Sequence, residues 1–343
     1  MKKLLSTTIL ALALGVATAA HAEGDLFLYN WFEYMPQELL DKFEAETGVH
    51  VTMDTYDSNE ALLAALKAGK LGSYDLAVPG DYMVKILGDE GMLDTFEPSE
   101  LSNFGNIEEQ WVDVPFDEGR HSSVPYQWGS TSFAVNRDVY KGDIETTAII
   151  FAPPAELAGK INVLDTAGET LTFASLHLGI PQCTTDREQL KALNALVQDA
   201  KKNWASFGSD VAKDVLVSGD AAAGMIWSGF AAKAREEGAN IEYAFPREGF
   251  IVWMDNLALL KDAPNRENAL KFMDFMLEPE NAAALTNFAR YSAGVTGVHD
   301  FLLPEVADSP EGNPPAGAQG VFVEACPQEV QVMYDQIWTN LKK

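Results

Sequence analysis

Leu26-Phe27-Leu28-Tyr29-Asn30-Trp31-Phe32-Glu33-Tyr34 opens the stretch whose reading decides the fold. Its first four residues form an apolar run short enough for a buried strand. Pro36 then starts a helix, where its missing N–H and fixed φ cost nothing. Leu39, Leu40 and Phe43 share one face of that helix, and Gly48 stands where a C-terminal cap belongs. A second strand follows, with Val51, Met53 and Thr55 on one face. Asp57-Ser58-Asn59-Glu60 reads as a capping sequence, with Glu60 three residues after Asp57. The next helix carries Leu62, Leu63 and Leu66 and stops at Gly69. A third strand, Tyr74-Asp75-Leu76-Ala77-Val78, ends at Pro79-Gly80. This βαβαβ order predicts a parallel sheet. Ligands of such open sheets sit beyond the carboxyl ends of the strands. Trp31 to Tyr34 lie at one such end and Gly80-Asp81-Tyr82 at another, so a cleft wall is expected there.

Outward from this unit, the segment Met83 to Leu87 reads as helix. Residues 97–119 are polar, with scattered Phe104, Trp111 and Phe116, and read as a long excursion over the surface. The alternation of Thr131, Phe133 and Val135 predicts a strand ending at Asn136, near a first crossover into a second domain. Glu188 to Lys202 is an amphipathic helix with Leu190, Leu193, Leu196 and Val197 on one face. Ala222 to Trp227 reads as a buried strand that again ends on an aromatic residue. Gly249 to Leu260 marks the return to the first domain, and Asn265 to Leu277 and Glu280 to Phe288 are helices. The last helix, Glu329 to Leu341, is expected on the second domain.

The first 22 residues read as an export signal: Lys2-Lys3, an apolar run from Leu4 to about Val16, and the small-x-small site Ala20-His21-Ala22. The apolar run is too short to span a membrane. Cleavage after Ala22 would place a soluble chain in a bacterial periplasm or outside the cell. It would also remove Lys2 and Lys3 and take the formal charge from −27 to −29. A field of that sign repels nucleic acid and anionic membrane surfaces and attracts cations. The 321 residues from Glu23 onward leave room for two domains and a cleft. Export permits a disulfide between Cys183 and Cys326, although sequence does not show whether they meet. Neither cysteine has a CxxC partner and the histidines do not cluster, so no metal or other cofactor is expected.

No catalytic set assembles: the chain lacks GxSxG, a phosphate loop, HExxH, and GxGxxG after a strand. What recurs is an aromatic residue at a strand end with an acid close by. Trp31 has Glu33, Trp253 has Asp255, Tyr82 follows Asp81, and Trp227 ends an apolar run. A tryptophan at a strand end is by itself commonly core or rim, and a nearby acid is commonly solvated. Repeated through one chain, the pairing suits organic ammonium groups. An aromatic face attracts a cation by roughly 0.5–2 kcal/mol, and a carboxylate accepts its N–H bonds.

At these residues the chain resembles the periplasmic spermidine/putrescine-binding proteins of polyamine ABC importers. The matching stretches are Tyr29 to Tyr34, Phe43 to Gly48, Tyr56 to Glu60, Tyr74 to Pro79, Pro125 to Gly129, Gly224 to Trp227, and Pro246 to Asp255. The resemblance implies an α/β, two-lobed type II periplasmic-binding-protein fold with the ligand in the interdomain cleft, closing by a hinge. The expected division is residues 23–134 plus 250–300 for the first lobe and 135–249 plus 301–343 for the second. The resemblance also implies an aromatic box of Trp31, Tyr34, Tyr82, Trp227, Trp253 and Tyr291, with Glu33, Glu169 and Asp255 meeting ammonium groups and Ser209 adding a polar contact. Phe32 stands where the family carries Ser or Thr. Thr166 stands where a family acid is expected, Phe230 where the putrescine type has Asp, and Glu324 near a spermidine-type Gln. The missing acid at Phe230, with Trp253-Met254-Asp255, favours spermidine over putrescine. The implied partners are a polyamine and the membrane permease subunits of an importer, with a monomeric protein and no nucleic acid. The alternatives are another cationic amine or amino-acid derivative, for which Arg290 is the candidate carboxylate partner, an exported amine hydrolase, or a polyamine sensor. Both cysteines fall in segments assigned to the second lobe, where a bridge would tie down the C-terminal segment.

Overall fold

The computed structural model describes residues 24–343, and the expected export signal lies outside them. The opening unit forms as β1 (Gly24–Trp31), α1 (Gln37–Thr47), β2 (Val49–Tyr56), α2 (Asn59–Ala65) and β3 (Leu76–Ala77). β1 pairs in parallel with both β2 and β3. Its side chains alternate between two cores. Leu26 and Leu28 join Leu39, Leu40 and Phe43 of α1 on one face, while Tyr29 joins Leu62 and Leu66 on the other. Gly48 closes α1 in the left-handed region at φ 72°, donating its N–H to the Glu44 carbonyl at 2.8 Å. Two details of the sequence reading change. Pro36 flanks α1 as its cap residue and is not its first helical residue, because its ψ of 138° is extended. Ser58, not Asp57, caps α2: its Oγ accepts the Ala61 N–H at 3.1 Å. Glu60 is instead turned toward Tyr82, whose hydroxyl donates to it at 3.2 Å.

The chain continues through α3 (Asp81–Asp89), β4 (Ser123–Asn136), α4 (Ala148–Phe151), β5 (Ile161–Val163), α5 (Ala167–Leu178) and α6 (Arg187–Ala200). Next come β6 (Trp204–Phe207), α7 (Ala212–Ser218), β7 (Ala223–Trp227), α8 (Ser228–Glu236), β8 (Ile241–Tyr243) and β9 (Phe250–Leu259). It ends with α9 (Arg266–Met276), α10 (Pro279–Ala289), α11 (Pro304–Ala307), β10 (Gly320–Phe322) and α12 (Gln328–Leu341). The strand order is β2-β1-β3-β9-β4-β7-β5-β6, with β10 on β9 and β8 on β4. The sheet is therefore mixed and not wholly parallel: β9 runs antiparallel to β3 and β4, and β4 antiparallel to β7.

β4 and β9 join the two halves. β4 pairs with β9 from Ser123 to Thr131 and with β7 from Thr131 to Val135. One large core gathers Leu26, Phe43, Leu257 and Phe272. The other gathers Phe133, Ile161, Phe173, Leu193 and Ile226, and α12 packs onto it through Val330, Tyr334, Ile337 and Leu341. Cys183 and Cys326 form a disulfide with a Cα–Cα distance of 5.1 Å, fastening the segment before α12. Residues 97–119 are more than a surface excursion, since Leu101, Ile107 and Val114 are buried. Arg120, fully buried, anchors the excursion to β9. Its guanidinium donates to the Trp111 carbonyl at 2.7 Å and to Asn256 Oδ1 at 2.6 Å.

Candidate functional site

A cavity of about 570 Å3 opens between the two large cores, at the strand ends where a cleft wall was expected. Trp31 ends β1 and Trp227 ends β7, and their rings face each other edge-on at 6.5 Å. Each indole is fixed by its N–H. Trp31 Nε1 donates to the Val78 carbonyl at 2.8 Å, and Trp227 Nε1 donates to Glu169 Oε1 at 3.1 Å. Trp253, on β9, donates to Thr131 Oγ1 at 3.0 Å and meets the Tyr291 ring edge-on at 5.0 Å. Gly129 on β4 lies opposite Trp253 in the ladder. A Cβ there would stand 2.8 Å from the indole and 2.9 Å from Tyr291, so only glycine lets both rings lie against the strand.

The carboxylates are held by hydroxyl and amide donors. Tyr34 donates its hydroxyl to Asp255 Oδ2 at 2.8 Å. Glu169 accepts from the hydroxyls of Thr131 and Thr166, the second at 2.7 Å. Asp81, the first residue of α3, accepts the Met254 N–H at 3.0 Å and the Tyr82 N–H at 2.6 Å. Burial pushes all three carboxyls above their ordinary range, Asp81 to about 7. Like charge adds to this: Asp81 and Glu169 both raise Asp255. Glu60 is also raised, by desolvation first and then by Glu169 and Asp335. Among the described residues, no lysine, arginine or histidine belongs to the lining, although the Lys342 ammonium reaches one of its carboxylates, Asp165. Buried carboxylates without a counter-ion carry a desolvation penalty of several kcal/mol each. A ligand bearing ammonium groups removes that penalty, and the aromatic faces add to the attraction.

Ten of the expected site residues line this cavity: Trp31, Phe32, Tyr34, Tyr82, Glu169, Ser209, Trp227, Trp253, Asp255 and Tyr291. Phe32 stands at the rim and is 57% exposed. Glu33 and Glu324 are exposed residues outside the lining. Glu33 follows Phe32 in the left-handed region at φ 52°, and the Glu324 N–H donates to Gln182 Oε1 at 3.1 Å. Arg290 is also outside the lining and pairs with Glu236 at 2.9 Å, so the carboxylate partner that an amino-acid ligand needs is not in the cavity. Thr166 and Phe230, two of the departures from the family pattern, do line it, and the Phe230 ring meets Trp227 edge-on at 5.5 Å. Sequence reasoning missed Glu60, Asp335 and Trp338 as cavity residues, and Thr131 as the hydroxyl that bridges Glu169 and Trp253. Asp81 carried a signal, its adjacency to Tyr82. Glu60 was read only as a cap residue, and the wall residues of α12 only as helix.

Comparison with known proteins gives a consistent match. Residues 38–315 fit the family described as bacterial extracellular solute-binding protein. The chain is 38% identical over 301 residues to the spermidine/putrescine-binding periplasmic protein of Escherichia coli (strain K12), covering 87% of this chain and 86% of that protein. It is 31% identical over 317 residues to the putrescine/cadaverine-binding protein of Pseudomonas aeruginosa, covering 89% and 88%. Among solved structures it is similar to the spermidine/putrescine ABC transporter substrate-binding protein from Streptococcus pneumoniae. That match has a TM-score of 0.79 and 28% identity, over 93% of this chain and 99% of that one.

Proposed function

We propose a ligand and a task for this chain from one premise: it belongs to the bacterial extracellular solute-binding protein family. It captures a linear polyamine in the cleft between its lobes and delivers it to the permease subunits of an inner-membrane ABC importer. It acts as a periplasmic monomer, after removal of a signal peptide at Ala22. It carries the amine and does not convert it. The observation that supports this reading is the cavity, with aromatic walls, carboxylates raised by burial, and no basic residue among the described lining residues.

The lobes divide as residues 23–134 with 250–300 and 135–249 with 301–343, a division supported by the membership of the two large cores except at Phe133, Ala134 and Ile251, which pack with the second. Spermidine is the better fit over putrescine. The lining carries more carboxylates than two amines can pair, Glu60, Asp81, Glu169, Asp255 and Asp335 among them, which suits three amines better than two. The ring of Phe230 also leaves the position of the putrescine-type acid apolar.

Titration calorimetry of the mature protein with spermidine, putrescine, cadaverine, lysine and arginine tests the reading. Binding at one site per chain is expected for the polyamines, tightest for spermidine and weakest for the amino acids. A basic amino acid binding more tightly than every polyamine would overturn it.

A further inference from the structure

The cavity does not end at Glu169. Its lining also takes in Asp165, Phe207, Ser209, Asp210 and, from α12, Asp335 and Trp338. The segment leading into α12 is fastened by the Cys183–Cys326 disulfide, and the Trp338 ring is held edge-on against Phe207 at 6.0 Å. Val323 completes this outer part of the wall. An aromatic ring and carboxylates therefore recur here, in the combination found around Asp255 and Trp253.

At this end, however, an ammonium is already present. Lys342, directly after α12, donates through Nζ to both carboxylate oxygens of Asp165. The same Nζ lies 5.7 Å from the centroid of the Trp338 ring. One carboxylate of the lining and one aromatic wall residue thus hold an amine that belongs to the chain itself. The pair is only partly buried, at 39% and 40% side-chain exposure, so the ammonium exchanges with solvent and a competitor has access.

We propose that Lys342 is a tethered occupant of the outermost ammonium station of the cleft and limits the length of amine the site accepts. Resting on the polyamine reading above, this adds a residue that sets specificity. A triamine paired with the inner carboxylates leaves Lys342 in place. A tetraamine has a fourth ammonium that must displace Lys342 from Asp165 or stay in water. Removing the lysine frees Asp165 and Trp338 for that fourth group.

Calorimetric competition between spermine, the linear tetraamine, and spermidine on wild-type and Lys342→Ala protein is the test. In Lys342→Ala the preference for spermine over spermidine is expected to rise about tenfold, the worth of one ion-paired and ring-covered ammonium. Lys342→Arg, which keeps the charge, should behave as wild type. Asp165→Asn added to Lys342→Ala should abolish the gain. Lys342 and Asp165 are partly exposed and hold no core together, so these variants remain comparable in fold. An unchanged ratio in Lys342→Ala, with both amines still bound, overturns the proposal alone and leaves Lys342 as an ordinary surface ion pair. Failure of wild-type protein to bind either amine overturns the polyamine reading as well.

Discussion

Replacing Asp255 with asparagine should separate ligand binding from stability. The carboxylate is buried, and burial and like charges raise its pKa. Asparagine removes the charge while its side-chain oxygen can still accept the Tyr34 hydroxyl. The unliganded protein should melt at the same temperature or higher, while polyamine affinity falls by roughly tens-fold or more, as expected when a buried ammonium loses its counter-ion. Thermal melts with and without spermidine read both effects, and retained affinity would remove Asp255 from the site. The raised carboxyls also fix the sign of a pH effect. Asp81, Asp255 and Glu169 have folded-state pKa values above their unfolded ones, so their ionisation destabilises the unliganded fold. That contribution grows as pH rises from the unfolded carboxyl range through about 7, the value for Asp81, and the unliganded protein should be more stable near pH 5 than near pH 8. An ammonium ligand favours the ionised forms, so binding near neutrality should release protons and weaken as pH falls. Calorimetry in buffers of differing ionisation enthalpy measures that release. Identical heats in all buffers would contradict it.

At the scale of the element, Gly129 on β4 is the sharpest test of how backbone positions the walls. Gly129→Ala puts a methyl group where the Trp253 and Tyr291 rings lie, and is expected to cost at least tenfold in amine affinity while the sheet still forms. Tryptophan fluorescence with and without ligand would report the displaced ring. The disulfide acts on α12. Cys183→Ser with Cys326→Ser should lower stability by about 2–4 kcal/mol in chemical denaturation. An unchanged midpoint would assign the hold on α12 to its packing alone. These elements differ in how far the sequence announces them. β1, α1, β2 and α2 were legible because their apolar residues follow periods of two and 3.6 and Gly48 marks the end of α1, whereas the α2 cap falls at Ser58, one residue past Asp57. β6 and β10 were not, because β6 buries a single residue and β10 none, so neither carries an apolar pattern. The site was legible where an acid stands next to an aromatic residue in the chain, as at Trp253 and Asp255. It was illegible where partners meet only through the fold: Thr131 reaches Glu169 across 38 residues and Trp253 across 122. The Cys183–Cys326 pair, separated by 143 residues, was open in the sequence for the same reason.

For the whole molecule, the formal charge of −27 and the acidic cavity act on the same ligand from different distances. The long-range field should speed the arrival of a polycation, and salt screens it over a Debye length of about 8 Å at physiological ionic strength. Stopped-flow association should slow several-fold between about 10 mM and 300 mM salt, with a much smaller change in dissociation because the buried pairs are screened less. A salt-independent association rate would mean that the surface charge serves solubility alone. The placement of the walls has a mechanical side. Thr131 stands on β4 and Trp253 and Asp255 on β9, the two neighbouring strands that run from one half of the molecule into the other. If the lobes close as the resemblance implies, these two hydrogen-bonded strands would be the hinge, and such a hinge bends and twists like a leaf spring and does not swivel like a loose tether. With Trp253 and Asp255 mounted on the spring itself, flexing would tilt them against Tyr291 and Tyr34. Grip and hinge angle would then be one coordinate, and whatever pried the lobes apart would loosen the cargo in the same stroke.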